Sequence, residues 1–299
     1  MATLEQQIFQ KGSTTYYFSS QFFPRKMRED VFRLYSFVRV ADDYVDSVPA
    51  QTKEFYDLRR RWDAAKNDPN FSTHRSIHDS IDQRVVKNIV HVTRKYEFDQ
   101  AWVEAFLNSM QADVQGQTIR TIDDTLGYIY GSAEVIGLMM ARIMGLPNEA
   151  QTTAKLQGRA MQFINFLRDI DEDNTLGRCY FPAEDLAKFN LPDLRKVTIL
   201  MRPHNFCDFM RFELRRYSEW QVEANTGFSY IPRRLRVPLQ TAVDMYDWTA
   251  RQIAADPQIV FTRQIKPRKR RVLVRGLYNG LIILPEFSPS AKKPKNIAQ

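Results

Sequence analysis

The chain has 299 residues, 43% hydrophobic and 26% charged, with a formal net charge of +8 at pH 7. Those proportions exclude a disordered polypeptide, and the length suffices for a large core that surrounds an internal pocket. Two cysteines and four scattered histidines exclude a disulfide framework and a thiolate metal cluster.

The first residues, MATLEQQIFQKGSTT, lack the basic start and apolar centre of a signal peptide. Next, MREDVFRLYSFVRVADDYVD places Val31, Leu34, Tyr35, Val38 and Asp42 on one stripe of a helix. His74 and His78 stand four apart in the polar segment NDPNFSTHRSIHDS and read as an ordinary surface pair. The segments AEVIGLMMARIMGL and GLIILPEF are apolar. Both fall short of the roughly 20 residues a spanning helix needs, or are broken by Arg142 and Pro285. LQGRAMQFINFLRDIDED carries a second helical stripe with Leu156, Ala160, Phe163, Leu167 and Ile170. Prolines 24, 69, 147, 182, 192, 232 and 257 mark element boundaries. No Gly-rich loop follows a strand-like run, so dinucleotide and P-loop readings fail. The prediction is an all-α protein: a helical domain over residues 1–280 and a short, flexible basic tail over 281–299. It is expected to be intracellular, soluble or attached only to a membrane surface.

Two acidic pairs carry the chemistry. ADDYVD sets Asp42 and Asp46 four apart, and DIDED repeats the spacing with Asp169 and Asp173. Four residues are one helical turn, so each pair shares a face and repels itself by a few tenths of a kcal/mol. A solvated acidic helix end accounts for either pair alone. Two pairs, each ending an apolar stripe and each beside an arginine (Arg39, Arg168), favour a cation instead. Mg²⁺ is the hard ion usually held by one or two carboxylates together with substrate phosphates. Two facing pairs would hold two or three Mg²⁺ ions and, through them, a diphosphate leaving group. Gln162, Asn165, Asp169 and Asp173 follow at steps of three, four and four, on one face. The two amides there need partners, either metal-bound water and diphosphate or another helix.

With these motifs in place, the chain resembles the squalene/phytoene synthase family over roughly residues 13 to 275. YYFSSQFFP and LYSFVRVADDYVD look like the family's first aspartate region. YIYGSAEVIGLMM looks like its central segment, and QFINFLRDIDEDNTLGRCYFP like its second aspartate region, with the trailing R-x-Y-x-P. The resemblance implies an isoprenoid synthase fold, with helices around a central cavity. It implies that two prenyl diphosphates are joined head to head through a cyclopropyl diphosphate. It makes Asp42, Asp46, Asp169 and Asp173, with Asn165, the Mg²⁺ set; Mn²⁺ would serve as a substitute. Ser13, Arg39, Gln162 and Asn165 match diphosphate-lining positions, and Tyr35, Tyr128 and Tyr130 match cavity tyrosines, whose π faces suit a carbocation. Arg263, Arg271 and Tyr246 fall near the C-terminal diphosphate contacts. Glu134, where the family usually has a small residue, needs Arg142 or another cation if it faces the cavity, and is expected rather to face another helix.

Phytoene from two geranylgeranyl diphosphates is the expected product. Squalene or dehydrosqualene from two farnesyl diphosphates is the alternative, with NADPH needed only for squalene. A non-enzymatic assembly factor of the same fold is a remote third reading. The densest basic run, RQIKPRKRRVLVR, suits nucleic acid, anionic lipid or phosphorylated ligands. Nucleic acid leaves both acidic motifs unexplained. The expected partners are therefore prenyl diphosphates and, peripherally, a membrane surface.

Overall fold

The computed structural model describes residues 3–283. Within them lie fifteen α-helices and no strand: α1 (Leu4–Gly12), α2 (Thr14–Ser20), α3 (Arg25–Asp46), α4 (Thr52–Lys66), α5 (Ile81–Tyr96), α6 (Gln100–Gln115), α7 (Ile122–Ile129), α8 (Val135–Ile143), α9 (Gln151–Arg168), α10 (Ile170–Thr175), α11 (Ala183–Lys188), α12 (Lys196–Met201), α13 (Pro203–Asn225), α14 (Arg233–Ala255) and α15 (Lys269–Ile283). The all-α expectation holds.

Local chemistry explains the boundaries. Ser80 and Thr121 open α5 and α7 as capping boxes with Gln83 and Asp124, and Ser13 caps α2 by accepting from the Tyr16 amide. Pro24, Pro182 and Pro232 stand immediately before α3, α11 and α14. Pro238 departs from this pattern, because it lies inside α14. Between α7 and α8 the chain makes one π-helical turn, Tyr130–Glu134.

Two apolar clusters form the core. One joins α1 to α6 with α8, and buries Trp62, Phe37, Phe55 and Phe106. The other joins α7 with α9 to α14, and buries Phe163, Phe206 and Phe209. Tyr16, Phe228 and Leu239 pack against both, and the space between the halves is a cavity. Helices α8 and α9 cross at van der Waals contact: a Cβ on Gly137 would strike the Ala154 carbonyl, and one on Gly158 the Ala133 carbonyl.

One expected boundary moves here. Helix α15 runs through residues 281–283 and packs on α2 and α14, so this stretch belongs to the helical body. The rest of the expected tail, 284–299, lies outside the described residues. Glu134 faces another helix, as expected, and its cation is Arg159 (Nε to Oε1, 2.6 Å) rather than Arg142, whose buried Nε has no acceptor among the described residues. The π-helical turn places Glu134 against α9, where Arg159 lies within reach.

Candidate active site

The cavity has a volume of about 1050 Å³. Its mouth is ionic and its depth is apolar. The C-terminal turns of α3 bring Asp42 and Asp46 to one side of the mouth, while the α9–α10 junction brings Asp169 and Asp173 to the other. Helix α9 does not run unbroken through the second pair, because the backbone departs from helical dihedrals at Asp169 (φ −102°, ψ 17°). Both flanking hydrogen bonds survive this bend, Asp169 N to Asn165 O and Asp173 N to Asp169 O at 2.8 Å each. Asn165, Asp169 and Asp173 therefore keep a common face.

Three arginines interleave with the carboxylates. Arg39 bonds Asp42 at 2.8 Å and Asp43 at 2.5 Å. Arg168 forks onto Asp169, with Nε to Oδ1 at 2.7 Å. Arg178 reaches across from the second half to Asp46 at 2.6 Å and to the Val45 carbonyl at 2.7 Å. Behind it, Asp113 accepts from the Tyr128 hydroxyl at 2.6 Å and the Tyr180 hydroxyl at 2.9 Å.

The electrostatics are those of an under-compensated acidic site. Burial, then the neighbouring Asp46 charge, pushes the Asp42 carboxyl up to about 7. Burial, then Asp169, pushes Asp173 up to about 8. Burial also raises Asp113, against the pull of Arg178. Two buried polar atoms facing the cavity, Asn165 Oδ1 and Ser132 Oγ, have no hydrogen-bond partner in the protein.

These residues fit a divalent cation. Repelling carboxylates and an orphaned amide oxygen are hard oxygen donors in need of positive charge. Among the described residues, no three His, Cys, Asp or Glu side chains are gathered closely enough to hold a metal ion by themselves. Mg²⁺ usually keeps several waters and takes substrate phosphates as ligands.

Most of the expected site residues meet here. Ser13, Tyr35, Arg39, Tyr128, Gln162, Asn165 and Tyr246 line the cavity with the four aspartates. Tyr35 stacks on Phe9 with ring centroids 3.7 Å apart, and Tyr246 lies 5.7 Å from the Tyr16 ring. Three expected residues lie elsewhere. Tyr130 begins the π-helical turn and faces out, 39% exposed, over a shallow surface depression. Arg271 stacks over Trp248 at 4.7 Å, because Val272 and Gly276 are the residues that turn α15 inward. Arg263 is exposed after the turn Pro257–Phe261, and from the basic run it is Lys266 that borders the cavity. Asp113, Arg178, Tyr180 and Tyr16 join the site without having been singled out. The signal for Asp113 was present: it ends the apolar stripe Val103, Phe106, Met110 of α6, as Asp42 ends its own.

The sequence profile described as squalene/phytoene synthase matches residues 9–271. This chain belongs to the squalene/phytoene synthase family. It is therefore a prenyltransferase, and the assembly-factor reading is set aside. Relatives within the family include a 15-cis-phytoene synthase of Paracoccus sp. (strain N81106 / MBIC 01143), 29% identical over 257 residues, covering 79% of this chain and 76% of that protein. A presqualene diphosphate synthase of Zymomonas mobilis is 27% identical over 220 residues, covering 73% and 70%. Among solved structures, a dehydrosqualene synthase in complex with ligand superposes with a TM-score of 0.72 at 22% identity, covering 93% of this chain and 94% of that one. A squalene synthase from Alicyclobacillus acidocaldarius gives 0.67 at 20%, covering 86% and 93%. At those identities the likeness concerns the fold, which is that of the isoprenoid synthases.

Proposed function

We propose that the chain is a phytoene synthase, which condenses two geranylgeranyl diphosphates head to head in a Mg²⁺-dependent reaction. The carrying observation is a cavity of about 1050 Å³ with four aspartates and three arginines at its mouth and an apolar interior. That polarity matches an anionic head and a long hydrocarbon tail. Relatives named 15-cis-phytoene synthase favour the C20 substrate.

Asp42, Asp46, Asp169 and Asp173, with Asn165, would hold Mg²⁺, which supplies the positive charge that makes diphosphate a competent leaving group. Arg39, Arg168 and Arg178 hold these carboxylates in place and add donors for the phosphate oxygens. When the first C–O bond breaks, its electron pair leaves with diphosphate. The double bond of the second molecule attacks the allylic cation, and loss of a proton closes the cyclopropane. Departure of the second diphosphate and loss of a second proton give phytoene. Tyr35, Tyr128 and Tyr246 face this path with π surfaces that stabilise cations. Asp113 anchors the Tyr128 hydroxyl and so fixes its ring.

The presqualene diphosphate synthase relative supports a second reading, condensation of two farnesyl diphosphates, with NADPH required if squalene is the product. Incubation with each diphosphate and Mg²⁺, with and without NADPH, separates the readings by product mass. A C40 hydrocarbon without NADPH is expected. A C30 product would transfer the assignment to the second reading. Cytoplasmic, peripheral attachment to a membrane belongs to the same proposal, since substrate tails and product are apolar. Among the described residues no helix is long and apolar enough to span a bilayer.

A further inference from the structure

Helix α15 faces two ways. Val272, Gly276 and Asn279 turn inward against α2 and α14, where the Phe22 ring leaves no room for a side chain at Gly276. The opposite stripe carries Val274, Leu277, Tyr278, Leu281 and Ile282, each between 50% and 82% exposed. Their spacing of three and four residues makes one continuous apolar face, and among the described residues no neighbouring helix covers it.

The charges beside that stripe have one sign. Arg268, Lys269, Arg270 and Arg271 are all exposed, and among the described residues none of them makes a salt bridge. Helix α15 contains no acidic residue, and its remaining arginine, Arg275, is paired with Asp244 at 2.6 Å. Lys269 lies over the Phe18 ring and Arg271 over Trp248, which leaves Arg268 and Arg270 as the outward cations. An apolar helical face flanked by such cations complements an anionic, apolar-centred surface. The location agrees. Lys266 and Pro267, directly before α15, border the cavity, and α2 beneath the helix forms part of its wall.

We propose that the outward face of α15 is the surface by which the protein docks on an anionic lipid bilayer, with Val274, Leu277, Tyr278, Leu281 and Ile282 entering the headgroup–acyl boundary. Arg268 and Arg270 contact lipid phosphates. This orientation sets the cavity beside the bilayer, where apolar substrate tails and product partition. In that respect it rests on the function proposed above.

Flotation of the full-length protein with phosphatidylcholine vesicles, with and without phosphatidylglycerol, tests the surface separately from the chemistry. Binding is expected to the anionic vesicles and to be lost at high salt. Leu277→Ser with Leu281→Ser should reduce partitioning at least about tenfold, with thermal midpoint and helicity unchanged. Arg268→Ser with Arg270→Ser should abolish the preference for anionic lipid. Two results would overturn the proposal: variants that bind like the parent, and a parent that binds neither vesicle. A concentration-dependent dimer dissolved by the leucine changes, without vesicle binding, would do the same and assign the face to a second copy. Vesicle binding without hydrocarbon formation would leave this surface standing and remove the function proposed above, and the converse result would do the opposite.

Discussion

Arg178 ties the two halves of the mouth together, since it rises from the segment after α10 to bond Asp46 and the Val45 carbonyl of α3. Its planar fork presents N–H groups to both acceptors in one fixed geometry, whereas an ammonium is a point charge on a flexible stem. Arg178→Ala should therefore lower kcat/KM by about a hundredfold, and Arg178→Lys should recover little of that loss. Asp42→Asn and Asp169→Asn are expected to abolish turnover while circular dichroism reports the parent helicity; near-normal rates in either variant would contradict the metal assignment. The carboxyls of Asp42 and Asp173, pushed up to about 7 and about 8, also bear on pH. Folded values above the unfolded value of 3.8 mean that stability is full below that pH, falls as pH rises from there, and is lost once pH has passed about 7 and about 8. The metal-free protein should show a thermal midpoint that drops across that window, and Mg²⁺ should restore it. Proton release on Mg²⁺ addition at pH 6.5, measured in two buffers by calorimetry, checks the same linkage.

At the scale of elements, the close crossing of α8 and α9 sets the shape of the cavity. Gly158 and Gly137 permit it, and both line the pocket. Alanine at Gly158 gains about 1 kcal/mol of helix propensity. Its Cβ must nevertheless displace the Ala133 carbonyl, and overpacking of that kind costs about 1–3 kcal/mol. A net loss of stability is expected for Gly158→Ala, read as a lower denaturation midpoint; a stabilised variant would show that the crossing yields easily. Helical period made α3 and α9 legible in the sequence, because their apolar stripes face large cores and end on carboxylates. The bend at Asp169 was not legible, since a continuous stripe runs through it and a change in dihedrals leaves no compositional trace. The rotation of α15 also escaped the sequence. RKRR offers cations on every side, and the inward packing of Val272 and Gly276 decides which of them faces out.

Across the whole molecule, two cores leave a cavity between them, and the ionic mouth forms only when both are folded. Fold class and the four aspartates could be read directly, since each is written in local spacing. The pairing of Asp113 with Tyr128 and Tyr180, and of Arg178 with Asp46, joins residues from 15 to 132 positions apart. Partners at that separation are set by packing, which local pattern does not encode. Tyr130 and Tyr128 show the same limit within one motif: two residues apart, one is buried against Tyr180 and the other is turned to the surface. Such a site binds its ligand through charge that the protein alone leaves uncompensated. The most direct measurement is calorimetric titration of a non-hydrolysable geranylgeranyl thiodiphosphate into the protein, with Mg²⁺ and with chelator. Binding that requires Mg²⁺, and is lost in Asp42→Asn, is the predicted result. Equal affinity in chelator, or an unaffected Asp42→Asn, would contradict the account.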